Sequence, residues 1–203
     1  MPASSYAAAP IDSLKVRSGA GTAVVLCSTE YAAKHGLGGG VRINAISTVT
    51  PTFPNTVMDM PNLSTDATTA VPAGDLTFKE SIGAAAYEEA GIDPSDVSLA
   101  EVYDLSTALE LDWIEDLQLC KRGEAESLLR AGDTTLGGRI PVNPSGGLAC
   151  FGEAVPAQAL AQVCEVTWQL RGQATGRQVE GARVGITANQ GLFGHGSSVI
   201  LSV

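Results

Sequence analysis

The 203-residue chain has 44% hydrophobic residues and a formal net charge of −10; it is long enough for one domain, with or without part of another, and too apolar for disorder. Its 12 Lys and Arg residues are scattered among 22 Asp and Glu, which excludes nucleic acid as an expected partner, because phosphate-backbone binding needs a concentrated basic face. No apolar run reaches the roughly 18–20 residues of a membrane span, and Met1 to Pro10 lacks the basic and apolar regions of a secretory signal.

The predicted elements alternate along the chain. Residues 22–26 (Thr-Ala-Val-Val-Leu) read as a buried strand, 29–35 as a helix ending in a glycine cluster, and 41–49 as a β-branched strand. Residues 51–72 carry Pro, Asn, Ser and Thr without a period and read as a long surface loop. Phe78, Ile82, Ala85, Ala86 and Ala90 recur at helical spacing, closed by Gly91. A turn at 93–96 leads to a strand at 97–103, followed by helices at 107–119 and 124–130. The longest helix is predicted from about Glu153 to Leu170, with Pro156 in its first turn. Strands at 183–187 and 198–203 close the chain around the turn Gly191 to Gly196. Strands and helices alternate, but some strands follow one another directly, so a mixed α/β sheet flanked by helices is expected.

The cysteines, Cys27, Cys120, Cys150 and Cys164, show no CxxC spacing, and His35 and His195 are the only histidines. That is a poor set for zinc, so no metal is expected; reduced thiols in a cytoplasmic protein are.

Three segments carry a resemblance. Leu136 to Gly147 (Leu-Gly-Gly-Arg-Ile-Pro-Val-Asn-Pro-Ser-Gly-Gly) resembles the glycine-rich segment before the active-site helix of the thiolase superfamily, closest to its sterol-carrier-protein or lipid-transfer branch. Ala100-Glu101-Val102-Tyr103-Asp104 resembles that family's Glu-Val-His-Asp segment, and Gln178 to Thr187 resembles the approach to its terminal strand. The resemblance implies the C-terminal half of a layered thiolase-like fold, with residues 1–40 as the end of the first half and 41–203 as the second. It also implies that the half bearing the nucleophilic cysteine is absent from this chain or supplied by a second polypeptide.

Thioester Claisen chemistry needs a thiolate, a base, a second acid/base and oxyanion donors, and this sequence departs from the resembling family at three places. Tyr103 stands where the family has His; it is either an oxyanion donor and acid/base or a strand-end ring with a wet hydroxyl. Glu153 stands for the His of Gly-His-Pro; it is either a proton acceptor or a carboxylate favoured at a helix N-terminus. The cysteine-free stretch Asn189 to Gly196 replaces Cys-x-Gly, and there His195 is a candidate proton carrier or merely an exposed turn residue. Cys150 lies nearest the site without matching a catalytic position. Asn143, Ser145, Gly146, Gly147, Asn189 and Phe193 are the residues expected to contact substrate.

These departures resemble the steroid side-chain aldolases of the lipid-transfer branch, in which tyrosine does the acid/base work beside a small OB-fold partner protein. The resemblance implies cleavage of a carbon–carbon bond in an acyl-coenzyme A thioester, in lipid or steroid degradation, by a thiolase or retro-aldol route. Coenzyme A would enter as part of the substrate and no cofactor would stay bound. A homodimer or a heteromer is implied. The alternatives are a non-catalytic thiolase-like subunit and an acyl-coenzyme A or lipid-binding protein.

Overall fold

A computed structural model describes residues 21–37, 40–50, 76–154, 156–191 and 195–203. The expected loop at 51–72 and Phe193 lie outside them. Four strands form one mixed sheet: β1 (Arg42–Val49), β2 (Leu99–Val102), β3 (Val184–Gln190) and β4 (Gly196–Ser202), in the order β1-β4-β3-β2. β4 runs antiparallel to both neighbours, while β2 lies parallel to β3 with Glu101 opposite Thr187 and Val102 opposite Ala188. Beyond β2, residues 141–143 extend the ladder by a parallel bridge between Ala100 and Val142. This is the mixed α/β sheet with flanking helices that the sequence leads one to expect.

Side chains alternate across the sheet. Ala100, Val102, Ile186, Ala188 and Ile200 join the larger core with α2 (Phe78–Ala90) and α3 (Thr107–Asp116). Leu99 and Leu201 face the other way and pack with Val166 and Leu170 of α6 (Ala157–Leu170).

Helix α2 forms where its ends are satisfied locally. The Thr77 hydroxyl accepts from the Glu80 amide at 3.2 Å, and Glu80 in turn accepts from the Thr77 amide at 2.7 Å, a reciprocal cap that settles two orphan donors. Gly91 ends the helix at φ 66°, a conformation that costs glycine little. The inner face of α2 holds Ile82, Ala86 and Tyr87, and the Tyr87 hydroxyl donates to the Leu117 carbonyl at 2.8 Å. Lys79 and Arg122 both grip the buried Asp116, at 3.1 and 2.9 Å, tying α2 to the end of α3.

Two expectations need correction. Residues 22–26 form no strand: residues 21–28 are irregular and largely exposed, with Val25 98% exposed. An apolar, β-prone run becomes a strand only with a ladder partner, and none of the described residues pairs with it; the Ala23 carbonyl merely lies 4.0 Å from Cys164 Sγ on α6. The long helix does not start at Glu153. A short helix α5 (Leu148–Phe151) stops at Gly152, whose φ of 78° breaks the helical path, and α6 begins only after Pro156. Of the remaining helices, α1 (Thr29–Lys34) falls within its expected range and α4 (Ala125–Ala131) is shifted one residue beyond the expected 124–130. Among the described residues no helix is long and apolar enough to cross a membrane.

Candidate functional site

The carboxyl end of β2 meets the turn at 143–147, the link between α5 and α6, and the end of β3. The turn is built on Asn143. Its amide donates to the Ala100 carbonyl at 2.8 Å, and its side-chain oxygen accepts from the Val102 amide at 2.7 Å. The side chain thus continues the β2 ladder after the main chain has turned away. Asn143 takes φ 49° and accepts from the Gly146 amide at 2.9 Å, closing the turn; asparagine is among the few side chains that tolerate this left-handed region.

Gly146 and Gly147 both have positive φ, 89° and 60°. A Cβ on Gly147 would overlap the Asp104 carboxylate, and one on Gly146 would overlap Cys150 Sγ. The backbone therefore approaches these side chains as only glycine permits. Asp104 also accepts from the Leu148 amide at 2.9 Å, fixing the start of α5.

Glu101 is fully buried beneath this turn, and Ser145 meets both its oxygens: the Ser145 amide at 3.0 Å and the Ser145 hydroxyl at 2.7 Å. Burial above all, with smaller contributions from the nearby Glu165 and Asp104 carboxylates, pushes the Glu101 carboxyl up to about 8 against the opposing pull of the Ser145 hydrogen bonds.

Tyr103 follows two residues later, 7% exposed, with its amide on the Ala188 carbonyl at 3.0 Å. Its hydroxyl donates to Glu153, which sits between α5 and α6. Burial, the bond to Glu153 and the charges of Glu153 and Asp104 hold the Tyr103 hydroxyl well above the ordinary phenol range. It is thus a proton-bearing donor at neutral pH, unlike a phenol activated by a lowered pKa.

Asn189, at the end of β3, is bound by two amides of α6: it donates to Gln162, and Gln158 donates to its oxygen at 3.5 Å. The structure therefore gathers Tyr103, Glu153, Asn143, Ser145, Gly146 and Gly147 around one strand end, with Asn189 on the adjoining strand. His195 is exposed, its ring against Gly191, and no hydrogen bond joins it to Tyr103 or Glu153 among the described residues. Cys150 is exposed, as a free thiol.

Sequence reasoning missed Gln158 and Gln162, and quoted Glu101 and Asp104 only as part of a motif. The helical spacing of Gln158, Gln162, Glu165 and Gln169 was the available signal: all four are buried on one face of α6. Such a stripe reads as a solvated face until the structure turns it inward. No group of His, Cys, Asp or Glu side chains suited to a metal occurs among the described residues.

A family model described as thiolase C-terminal domain-like matches residues 64–202. Sterol carrier protein 2 of Rattus norvegicus is 39% identical over 85% of this chain and 30% of its own length. The benzoylsuccinyl-CoA thiolase subunit BbsB of Thauera aromatica is 35% identical over 81% of this chain and 39% of its own length. Among solved structures, the Ltp2-ChsH2(DUF35) aldolase aligns with a TM-score of 0.54 and 30% identity, covering 62% of this chain and 31% of the other. The chain thus spans well under half the length of these relatives. A match over most of the chain, and a sheet that puts the Leu136 to Gly147 segment against β2, make this chain a thiolase-superfamily protein of the sterol-carrier-protein-like kind.

Proposed function

We propose that this chain supplies the acid/base half of a site that cleaves a carbon–carbon bond in an acyl-coenzyme A thioester by a retro-aldol route, once a complementary thiolase-like half is present. The hydrogen bond from Tyr103 to Glu153 carries the reading. A retro-aldol step must take the proton from a β-hydroxyl as the Cα–Cβ bond breaks, leaving a carbonyl product and a thioester enolate that is then protonated at Cα. Tyr103 can accept that proton only while passing its own to Glu153, and this pairing provides the acceptor. The relay returns the proton to Cα afterwards, so no net proton is lost and no cysteine is demanded. The amides of Ser145, Gly146 and Gly147 are spent on Glu101, Asn143 and the Ser145 hydroxyl, so that hydroxyl is the turn's candidate donor to the enolate oxygen.

The likeness to an aldolase with a DUF35 component supports a small OB-fold partner in this reading, in which the chain works as a homodimer or within a heteromer. Steroid or other lipid acyl chains are the substrate class, and the cytoplasm is the expected place. In this scheme Asn143, Ser145, Gly146, Gly147, Asn189 and Phe193 contact the thioester, and His195 is peripheral.

The test is turnover of a β-hydroxyacyl-coenzyme A of a steroid side chain, with the chain alone and with its genomically neighbouring thiolase-like and OB-fold proteins. Turnover is expected only in the complemented mixture, and Tyr103→Phe should lower it at least about 100-fold, the scale of a lost general acid/base. Full activity in Tyr103→Phe overturns the assignment. Binding of the thioester by the complemented mixture without turnover would show a non-catalytic subunit instead.

A further inference from the structure

The geometry points to Glu101 as a positioning residue for the acyl end of the site: it holds the Asn143–Gly147 turn through Ser145, and its carboxyl proton decides whether the Ser145 hydroxyl is free to donate to a bound thioester. This rests on the reading that the turn faces the thioester, and goes beyond it by assigning the residue that governs one of its donors.

The argument is a count of hydrogens. Ser145 Oγ has one hydrogen and two lone pairs. One lone pair accepts from the Gly147 amide at 3.0 Å. The contact from Oγ to Glu101 Oε2 at 2.7 Å then has two possible senses. With Glu101 ionised, Ser145 must donate to it and its only hydrogen is used. With Glu101 protonated, the carboxyl O–H donates to Oγ, fills the second lone pair and frees the Ser145 hydrogen. Oε1 accepts from the Ser145 amide in either case, at 3.0 Å, so the turn stays in place while the hydroxyl reverses. Ser145 is only partly buried, so the freed hydrogen has somewhere to point.

The surroundings favour the protonated form. Glu101 has no solvent exposure, and among the described residues the hydrogen bonds to its carboxyl group come from Ser145. Two carboxylates reach it electrostatically, Glu165 from α6 and Asp104 from the segment after β2. The cation whose field reaches it, Arg177, is engaged by Glu165 at 2.6 and 2.9 Å. An unpaired buried carboxylate is disfavoured against its neutral acid.

The experiment uses the full chain labelled with 15N, following the amide resonances of Ser145 and Gly147 from pH 6 to 10 (a range set by ordinary protein handling, about two units either side of the midpoint). Both amides should move in one shared transition with a midpoint near 8. In Glu101→Gln, whose amide can donate to Oγ as the acid does, the transition should vanish and both resonances should stay near their acid-form positions. In Ser145→Ala the amide of residue 145 should still titrate, whereas that of Gly147 should lose its transition because the linking hydroxyl is gone. A purely structural Glu101 would not split the two amides in this way. Absence of the shared transition, its survival in Glu101→Gln, or an unchanged Gly147 titration in Ser145→Ala overturns the proposal. If Glu101→Gln fails to fold, the wild-type chain and Ser145→Ala still decide. No turnover is read here, so a failed Tyr103→Phe assay sinks the retro-aldol reading alone, and a missing amide transition sinks this one alone.

Discussion

Replacing Asn143 by alanine should cost the fold about 2–5 kcal/mol, the sum of an orphaned buried donor at ~1–3 kcal/mol and a left-handed alanine at ~1–2 kcal/mol. The first part follows from the Val102 amide, which donates to Asn143 Oδ1 at 2.7 Å in a residue with no solvent exposure, so water cannot replace the lost acceptor. The second follows from φ 49°, which asparagine tolerates and alanine resists. Glycine separates the two: Asn143→Gly keeps the orphan but removes the strain, and should be less damaging than alanine by about 1 kcal/mol. The assay is urea unfolding followed by circular dichroism, checked by thermal melts, where each kcal/mol is worth about 2–4 °C in a chain of this size. A loss under about 0.5 kcal/mol for alanine, the scale of an ordinary surface substitution, would show that the side chain does not extend the β2 ladder. An alanine no worse than the glycine would show that the strain argument fails.

Three further perturbations test the surrounding frame. Arg177→Ala removes both bonds to Glu165, whose side chain is 3% exposed while that of Arg177 is 37% exposed; the melting midpoint should fall, by less than the ~3–5 kcal/mol of a fully buried broken pair, and an unchanged midpoint would refute the pairing. Gly185→Ala would drive its Cβ into Val166 of α6; overpacking should cost about 1–3 kcal/mol in denaturant unfolding, and Val166→Ala should restore part of it. Glu101 has a folded-state pKa raised to about 8 by burial, so the folded chain holds a proton that the unfolded chain releases near 4.3. Its contribution is therefore fully present below the unfolded value and lost as pH rises through about 8. Melting midpoints should fall over that window in the wild type more steeply than in Glu101→Gln, and parallel profiles would refute the assignment.

What could be read from the sequence was what chain-local chemistry determines. The bounds of α2 follow from the spacing of Ile82 and Ala86 and from Gly91, and the structure places them at Phe78 and Ala90. The strand at 22–26 misled because hydropathy reports a wish to be covered and does not name the cover. The start of α6 moved to Ala157 because Gly152 and Pro156 act together, where a first-turn proline alone would have been tolerated. Tyr103 and Glu153 were both chosen one position at a time, from a resemblance. Their contact across 50 residues depends on how the β2 end and the α5–α6 link are brought together, which no local pattern records.

Helix α6 shows why the rest stayed hidden. Its sheet-facing side is polar at Gln158 and Gln162 and becomes apolar at Val166 and Leu170, while Leu160 and Trp168 point outward and are 37% and 44% exposed. Read by hydropathy, the N-terminal part of the helix would be turned the wrong way round. The inversion makes sense only with the sheet beneath it: Leu99 and Leu201 meet the apolar end, whereas Asn189 meets the amides at the other. Packing thus anchors one end of the interface, and a hydrogen-bonded polar layer fills the other, beside the end of β3. Buried amides at that end cost stability unless they find partners, and Asn189 answers both glutamines, accepting from Gln158 and donating to Gln162.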